Sequence, residues 1–205
     1  MAAGRRDTVI FDLGGVLIDW DPRNLYRRLF DGDIAAMEAF LAEVCTAEWN
    51  ERQDAGRSFA EGEAVAIAAH PDRRDMIIAW ARDFDEMIPG AIAGSVDILA
   101  QLHARGVPLY ALSNWSAETF PSQLRRFDFL SWFAGIVLSG EEGVIKPDPR
   151  IYRRLLERHG VEAARAVYID DVAANAAAAT ALGIHGIHFT SPGQLRAELA
   201  ALGLL

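Results

Sequence analysis

The sequence predicts an α/β fold in which helices cover both faces of a Rossmann-like parallel sheet, with a small all-helical segment inserted after the first strand. Short apolar, β-branched runs alternate with stretches of helical periodicity, a pattern typical of parallel sheets. Residues 21–87 interrupt that alternation, because they contain only 3.6-residue periodicity. A chain of 205 residues has room for one domain with a modest insertion.

Five apolar runs predict five buried strands. The first covers residues 8–11, ends at Asp12 and is followed by a glycine pair. The fourth covers residues 166–169 and ends at Asp170 and Asp171. The other three cover residues 107–112, 135–138 and 185–189. Because the chemistry of open parallel sheets lies at the carboxyl ends of the strands, we expect the polar residues there to share one crevice.

Helical patterns between the later strands each end at a glycine, where a left-handed residue after the helix is expected. We therefore assign residues 1–20 and 88–205 to a sheet domain and residues 21–87 to a helical cap. Within the cap, a Ser58–Glu61 capping box predicts the start of one helix, whose apolar stripe would include Val65 and Ala68.

The composition excludes several classes of partner. The net charge is −9 and no Lys/Arg run occupies a periodic segment, which disfavours nucleic acid and anionic membrane surfaces. No apolar stretch reaches the roughly 20 residues needed to cross a bilayer, so we expect a cytoplasmic protein. The single cysteine, Cys45, has apolar helical neighbours and is expected to be a buried structural thiol.

Several strand-end groups indicate chemistry when they are taken together. Alone, Asp171 or Ser113 could cap a helix and Lys146 could be a solvated loop cation. Asp12, Asp170 and Asp171 can share a crevice only if their charges are compensated, which Lys146 and a divalent metal would do. Oxygen ligands without a His or Cys cluster favour Mg²⁺ over zinc. We expect His185 and His188 to be ordinary strand residues.

Four segments, in this order along the chain, resemble the motifs of the haloacid dehalogenase superfamily. They are Phe-Asp-Leu-Gly-Gly-Val-Leu-Ile-Asp (11–19), Leu-Ser-Asn (112–114), Lys-Pro-Asp-Pro-Arg-Ile-Tyr (146–152) and Tyr-Ile-Asp-Asp-Val-Ala-Ala-Asn (168–175). The sequence is most similar to the helical-cap branch, which includes bacterial α-D-glucose-1-phosphate phosphatases and the N-terminal phosphatase domain of soluble epoxide hydrolase.

The resemblance implies a reaction through an aspartyl-phosphate, with Asp12 as the nucleophile. Ser113 and Lys146 would bind the remaining phosphoryl oxygens. Mg²⁺ would be held by Asp12, the backbone carbonyl of Gly14 and Asp171, with Asp170 in support.

Further residues are candidates for second roles around this site. Asn175 would face the crevice and orient Lys146 or a metal-bound water. Candidate substrate contacts are Asn114, Trp20 and Trp115, together with Trp49, Glu48 and Arg52 on a cap helix, although packing is the commoner role of a Trp.

Gly14 departs from the commoner phosphatase pattern of the superfamily. That pattern has a second Asp at this position, which acts as general acid and then as general base. Three interpretations stay open: another acid such as Asp19 or Asp21 replaces it, the enzyme prefers activated phosphates, or it is slow.

The sequence therefore predicts a Mg²⁺-dependent phosphatase acting on a small phosphorylated metabolite, with a sugar phosphate as one candidate. The alternatives are a 2-haloacid dehalogenase, which the acidic pair Asp170-Asp171 disfavours, and a catalytically silent binding module, which only Gly14 supports. Exposed faces of the cap helices could be solvated or could form a homodimer.

Overall fold

A computed structural model describes residues 6–205, and a five-stranded parallel sheet lies at its centre. The strands of this part of the chain are β1 (Thr8–Phe11), β2 (Ile18–Asp19), β3 (Gly90–Ala91), β4 (Leu109–Ser113), β5 (Gly135–Leu138), β6 (Ala166–Asp170) and β7 (His185–His188). The sheet has the order β5-β4-β1-β6-β7, and all its neighbouring strands are parallel. The five predicted strands are confirmed.

Helices fill the segments between the strands. They are α1 (Pro22–Leu29), α2 (Ile34–Glu43), α3 (Ala47–Asp54), α4 (Phe59–Ala69), α5 (Arg74–Arg82), α6 (Ala93–Ala104), α7 (Phe120–Arg126), α8 (Ser139–Glu142), α9 (Pro149–His159), α10 (Ala173–Ala181) and α11 (Pro192–Ala201). No helix within residues 6–205 is long and apolar enough to cross a membrane.

The two faces of the sheet are covered by different helices. Alternate residues of β1 point to opposite faces, so Val9 and Phe11 join one buried cluster and Ile10 joins the other. The Val9 cluster includes residues of α6 and α11, whereas the Ile10 cluster includes residues of α9 and α10. The prediction of helices on both faces is therefore confirmed.

Residues 22–87 form five α-helices and two short 3₁₀ turns around a cluster of aromatic side chains. The chain enters and leaves this helical segment through the antiparallel pair β2 and β3. Within the segment, the rings of Tyr26 and Phe40 lie 4.9 Å apart, and those of Trp49 and Trp80 lie 5.4 Å apart. These side chains belong to the same buried cluster as Val9 and Phe11, so the helical segment packs onto one face of the sheet and is also joined to it by a two-stranded ribbon.

The start of α4 is as predicted, but its buried face is not. The Ser58–Glu61 capping box is present. Val65, however, is 59% exposed, and the helix buries the side that contains Gly62. The indole of Trp49 donates to the Gly62 carbonyl at 3.0 Å, so α3 approaches α4 along the surface that lacks a side chain. The buried face of α4 therefore contains Phe59, Gly62 and Ala66, and Val65 lies on the exposed side.

Candidate active site

Asp12 follows β1 directly and lies beside the end of β6. Phe11 pairs with Ile169 in the sheet, so the next residues along the two strands, Asp12 and Asp170, are neighbours. One carboxylate oxygen of Asp12 accepts from the Ser113 hydroxyl at 2.8 Å and from the following backbone N–H at 2.7 Å. Strand register therefore brings three predicted site residues together.

Lys146 is the cation of the site. Its side chain is 1% exposed, and Nζ lies 2.9 Å from Asp12 Oδ2 and 2.7 Å from Asp170 Oδ2. Burial alone would lower the pKa of Lys146, but the two carboxylates outweigh burial and hold the pKa above its usual value. Lys146 is consequently an ammonium, and an ammonium has a third N–H to offer a substrate oxygen.

Asp170 is fully buried and its two carboxylate oxygens are already occupied by donors. Besides Lys146, they accept from the Tyr168 hydroxyl, from the Val172 backbone N–H at 2.8 Å and from Asn175 Nδ2 at 3.0 and 3.2 Å. Asn175 was predicted to orient either Lys146 or a metal-bound water. Its side chain instead donates to Asp170. Asp170 serves to fix the position of Lys146.

Asp171 has an open carboxylate above the loop that follows β1. Burial and the neighbouring charge of Asp170 raise the pKa of its carboxyl. Gly15, at φ 71°, leaves room for it, because a Cβ on Gly15 would clash with the carboxylate. Oxygens of Asp12, Asp170 and Asp171 lie within 4.8 Å of one another. Burial also raises the pKa of Asp12, although Lys146 opposes that effect.

The charges and donor atoms of this cluster fit a magnesium ion. Three carboxylates and one ammonium leave two negative charges without a counter-charge, which a divalent cation would cancel. All the potential ligand atoms are oxygens, as Mg²⁺ prefers. Within residues 6–205 no histidine belongs to the cluster, and the His188 ring bonds the backbone carbonyl of Asp171 at 3.0 Å.

A cleft of about 520 Å³ lies above the acidic cluster, with the helical segment as its opposite wall. The predicted contact Trp20 lines this cleft, and Gly14 does so as well. Asn114 also lines it, but its side chain bonds both backbone polar groups of Lys146. Trp115 is buried beside the cleft, with its indole N–H donating to Thr119 at 3.1 Å.

The α3 residues expected at the cleft were the wrong ones. Trp49 is buried inside the helical segment, and Glu48 and Arg52 form an exposed ion pair at 2.6 Å. The helix instead presents Ala47, Asn50, Glu51 and Asp54 to the cleft, and α5 contributes Trp80. Buried Cys45 also lies against the cleft, and burial raises its thiol pKa to about 12, as suits a structural thiol.

The sequence did not predict Asp54 at the cleft, because its position there is created by packing between distant segments. Of the acids considered as replacements for the one absent at Gly14, Asp19 is exposed and Asp21 caps α1, with its carboxylate accepting from Arg23 N–H at 2.9 Å. The only local signal was the spacing of Asn50 and Asp54, which places two polar residues on one side of α3.

The fold and site define a parallel α/β enzyme whose acidic cluster lies at the carboxyl ends of neighbouring strands. The chain belongs to the haloacid dehalogenase-like hydrolases, whose family pattern matches residues 6–183. It is 28% identical over 189 residues to a sesquiterpene phosphatase of Aspergillus oryzae, and the match covers 88% of each chain.

Solved structures share the fold at low sequence identity. A haloacid dehalogenase family enzyme from Bacteroides thetaiotaomicron, crystallised with magnesium and inorganic phosphate, has a TM-score of 0.67 at 22% identity, covering 91% of this chain and 95% of that one. An L-2-haloacid dehalogenase from Xanthobacter autotrophicus has a TM-score of 0.62 at 16% identity, covering 96% and 83%. The fold alone therefore does not separate phosphatase from dehalogenase.

Proposed function

We propose that this hydrolase is a Mg²⁺-dependent phosphatase that cleaves a small organic phosphate monoester through an aspartyl-phosphate on Asp12. The observation that carries this proposal is the arrangement around Asp12. Its carboxylate lies at the base of the cleft, 2.9 Å from the Lys146 ammonium and 2.8 Å from the Ser113 hydroxyl, beside two further carboxylates. A buried carboxylate between cationic and hydroxyl donors is positioned to attack an electrophile that carries negative oxygens.

Ser113 and Lys146 would hold the phosphoryl group for that attack. Both already donate to Asp12, so an oxygen placed above Asp12 is within reach of the same two donors. Charge-assisted donors of this kind stabilise the negative charge of the transferring group. Asp170 keeps Lys146 in place from below.

Asp12 and Asp171 are the carboxylates that would hold Mg²⁺, with the backbone carbonyl of Gly14 as a third ligand and Asp170 in support. When bound, the ion would neutralise charge on the phosphoryl oxygens and orient the group for in-line displacement. The occupied oxygens of Asp170 favour Asp171 over Asp170 as the direct ligand.

The part of the substrate beyond the phosphate would lie against the helical cap, residues 21–87. Leu41 and Trp80 of the cap, with Trp20 just before it, supply apolar surface there, whereas α3 supplies Asn50 and Asp54. This mixed wall suits a leaving group with an apolar surface and one or two hydroxyls. A substrate panel should accordingly contain both sugar phosphates and phosphates of apolar alcohols.

Two other functions are weighed against this one. A 2-haloacid dehalogenase binds a substrate carboxylate, which the open carboxylate of Asp171 would repel. A silent binding module would not need Lys146 to be fixed so firmly beside Asp12. The Lys146 ammonium contacts both Asp12 and Asp170, and the Asn114 amide bonds its backbone N–H and carbonyl.

The test compares three reactions of purified protein: release of phosphate from p-nitrophenyl phosphate with Mg²⁺, the same with EDTA, and release of chloride from 2-chloropropionate. We expect phosphate release that requires Mg²⁺ and falls about 10³-fold or more in Asp12→Asn. Chloride release without metal would establish the dehalogenase instead. No turnover across phosphate and haloacid panels would favour the binding module.

A further inference from the structure

We propose that Asp54, on the cap helix α3, is the general acid and base of the reaction and occupies the role left vacant at Gly14. The inference rests on the proposed phosphatase function and names a catalytic residue for it. Asp54 and Gly14 line the same cleft above Asp12, and they also line a second, narrower cavity of about 60 Å³ that adjoins it.

The space above Gly14 is open. A Cβ built on Gly14 would meet no atom within 4 Å, so no neighbouring side chain has filled the room that an acidic residue there would need. Two cavities border this space, and both are lined by Gly14, Asp54, Asn50 and Asn114. Of the acids that line the cleft, Asp54 is the one that also reaches the narrow cavity beside Gly14.

Contacts with the sheet domain hold the C-terminal end of α3 over the site. Gly56, at φ 99°, approaches the backbone carbonyl of Gly140 so closely that a Cβ there would lie 3.1 Å from it. The first N–H of α4, on Phe59, donates to Glu118 of the sheet domain at 3.0 Å. The turn between α3 and α4 is therefore docked on both sides, and Asp54 immediately precedes it.

The surroundings of Asp54 suit a group that exchanges protons near neutral pH. Burial raises the pKa of its carboxyl to about 7, and the charge of Glu51 adds to that effect. The backbone of Ser116, the charge of Lys146 and the Asn50 side chain, which donates to Asp54 at 2.9 Å, act in the opposite direction. No ion pair within residues 6–205 involves Asp54, so its carboxyl is free to gain and lose a proton.

The proton movements balance over the two half-reactions. First, the bond between Asp12 and phosphorus forms while the bond from phosphorus to the ester oxygen breaks, and protonated Asp54 gives its proton to that oxygen, so a neutral alcohol leaves. Next, a water oxygen bonds to phosphorus, Asp54 takes a proton from that water, and the bond between Asp12 and phosphorus breaks. Phosphate, the Asp12 carboxylate and protonated Asp54 result.

The experiment compares leaving groups in wild type, Asp54→Asn, Glu48→Gln and the double variant Asp54→Asn/Gly14→Asp. Phenyl phosphate has a poor leaving group that needs a proton, whereas p-nitrophenolate departs as an anion. In Asp54→Asn we expect kcat/KM to fall about 10²–10⁴-fold for phenyl phosphate and less than about tenfold for p-nitrophenyl phosphate. Glu48→Gln removes an exposed charge from the same helix without touching the cleft, and it should leave both substrates unchanged.

Two further readouts separate proton transfer from a structural role. Asp54→Asn lacks the base for the water, so p-nitrophenyl phosphate should give a burst of p-nitrophenol equal to the enzyme concentration. The Gly14→Asp change should restore phenyl phosphate turnover to Asp54→Asn. Equal losses on both substrates, or no restoration, would overturn the role of Asp54. A wild type that hydrolyses no phosphate ester would overturn the phosphatase function itself.

Discussion

The side-chain amide of Asn114 makes both hydrogen bonds that a neighbouring strand would offer to the backbone of Lys146. Its Oδ1 accepts from the Lys146 N–H at 2.8 Å, and its Nδ2 donates to the Lys146 carbonyl at 3.1 Å. The loop that carries Lys146 is outside the sheet, so this amide fixes the lysine backbone relative to the end of β4. A motif residue expected to touch substrate thus has a second task, which is to position the cation.

Asn114→Ala should therefore lower activity through Lys146. We expect a loss of about 1–3 kcal/mol in the free energy of unfolding, because two backbone groups lose their partner. We also expect kcat to fall up to about 10²-fold, because Lys146 shifts relative to Asp12. The matched control is Asn24→Ala, whose amide donates to the Met87 carbonyl at 3.2 Å in the cap. Similar losses of activity in both variants would show that Asn114 has no specific effect on Lys146.

Gly15→Ala should weaken Mg²⁺ binding by displacing Asp171. Any alanine at φ 71° costs about 1–2 kcal/mol of stability. At Gly15 the new Cβ would in addition clash with the Asp171 carboxylate. Gly106→Ala is the control, since Gly106 has the same φ of 71° and open space around it. By calorimetric titration we expect Mg²⁺ affinity to fall about 10–100-fold in Gly15→Ala alone.

Tyr168→Phe should both destabilise the protein and reduce its activity. The lost hydroxyl leaves an oxygen of buried Asp170 with one donor fewer, which costs about 1–3 kcal/mol in urea unfolding. Asp170 also holds Lys146, so kcat should fall as well. Tyr26→Phe removes a buried hydroxyl that donates to the Met76 carbonyl at 2.9 Å in the cap, and it should lose stability without losing kcat. Unchanged activity in Tyr168→Phe would show that the support of Asp170 by Tyr168 is not needed to position Lys146.

Strand order alone predicts the position of one group of the site residues. Asp12, Ser113 and Asp170 each end or follow a parallel strand, and parallel strands bring their carboxyl ends to one edge. Asp54 belongs to a helix whose approach to that edge depends on packing. It is set by the Gly56 and Gly140 contact and by the Gly62 face of α4, neither of which leaves a periodic pattern in the sequence.

The stability of Asp54→Asn relative to wild type should depend on pH. The pKa of Asp54 is raised from an ordinary 3.8 to about 7 by burial, so folding favours its protonated form. Its contribution to stability is fully present below about pH 4 and is lost as the pH rises through about 7. Asparagine does not titrate. As the pH rises from about 4 to about 7, the free energy of unfolding of the variant should therefore increase relative to wild type by about a few kcal/mol.

The measurement is thermal and urea unfolding of both proteins from pH 4 to pH 8, with no metal and no substrate. Asp12 also has a raised pKa, but it is present in both proteins and its effect cancels in the difference. Glu48→Gln serves as a control, because Glu48 is exposed on the same helix and does not shift the pKa of Asp54. A difference that stays flat over this range would mean that the Asp54 carboxyl is solvated in solution.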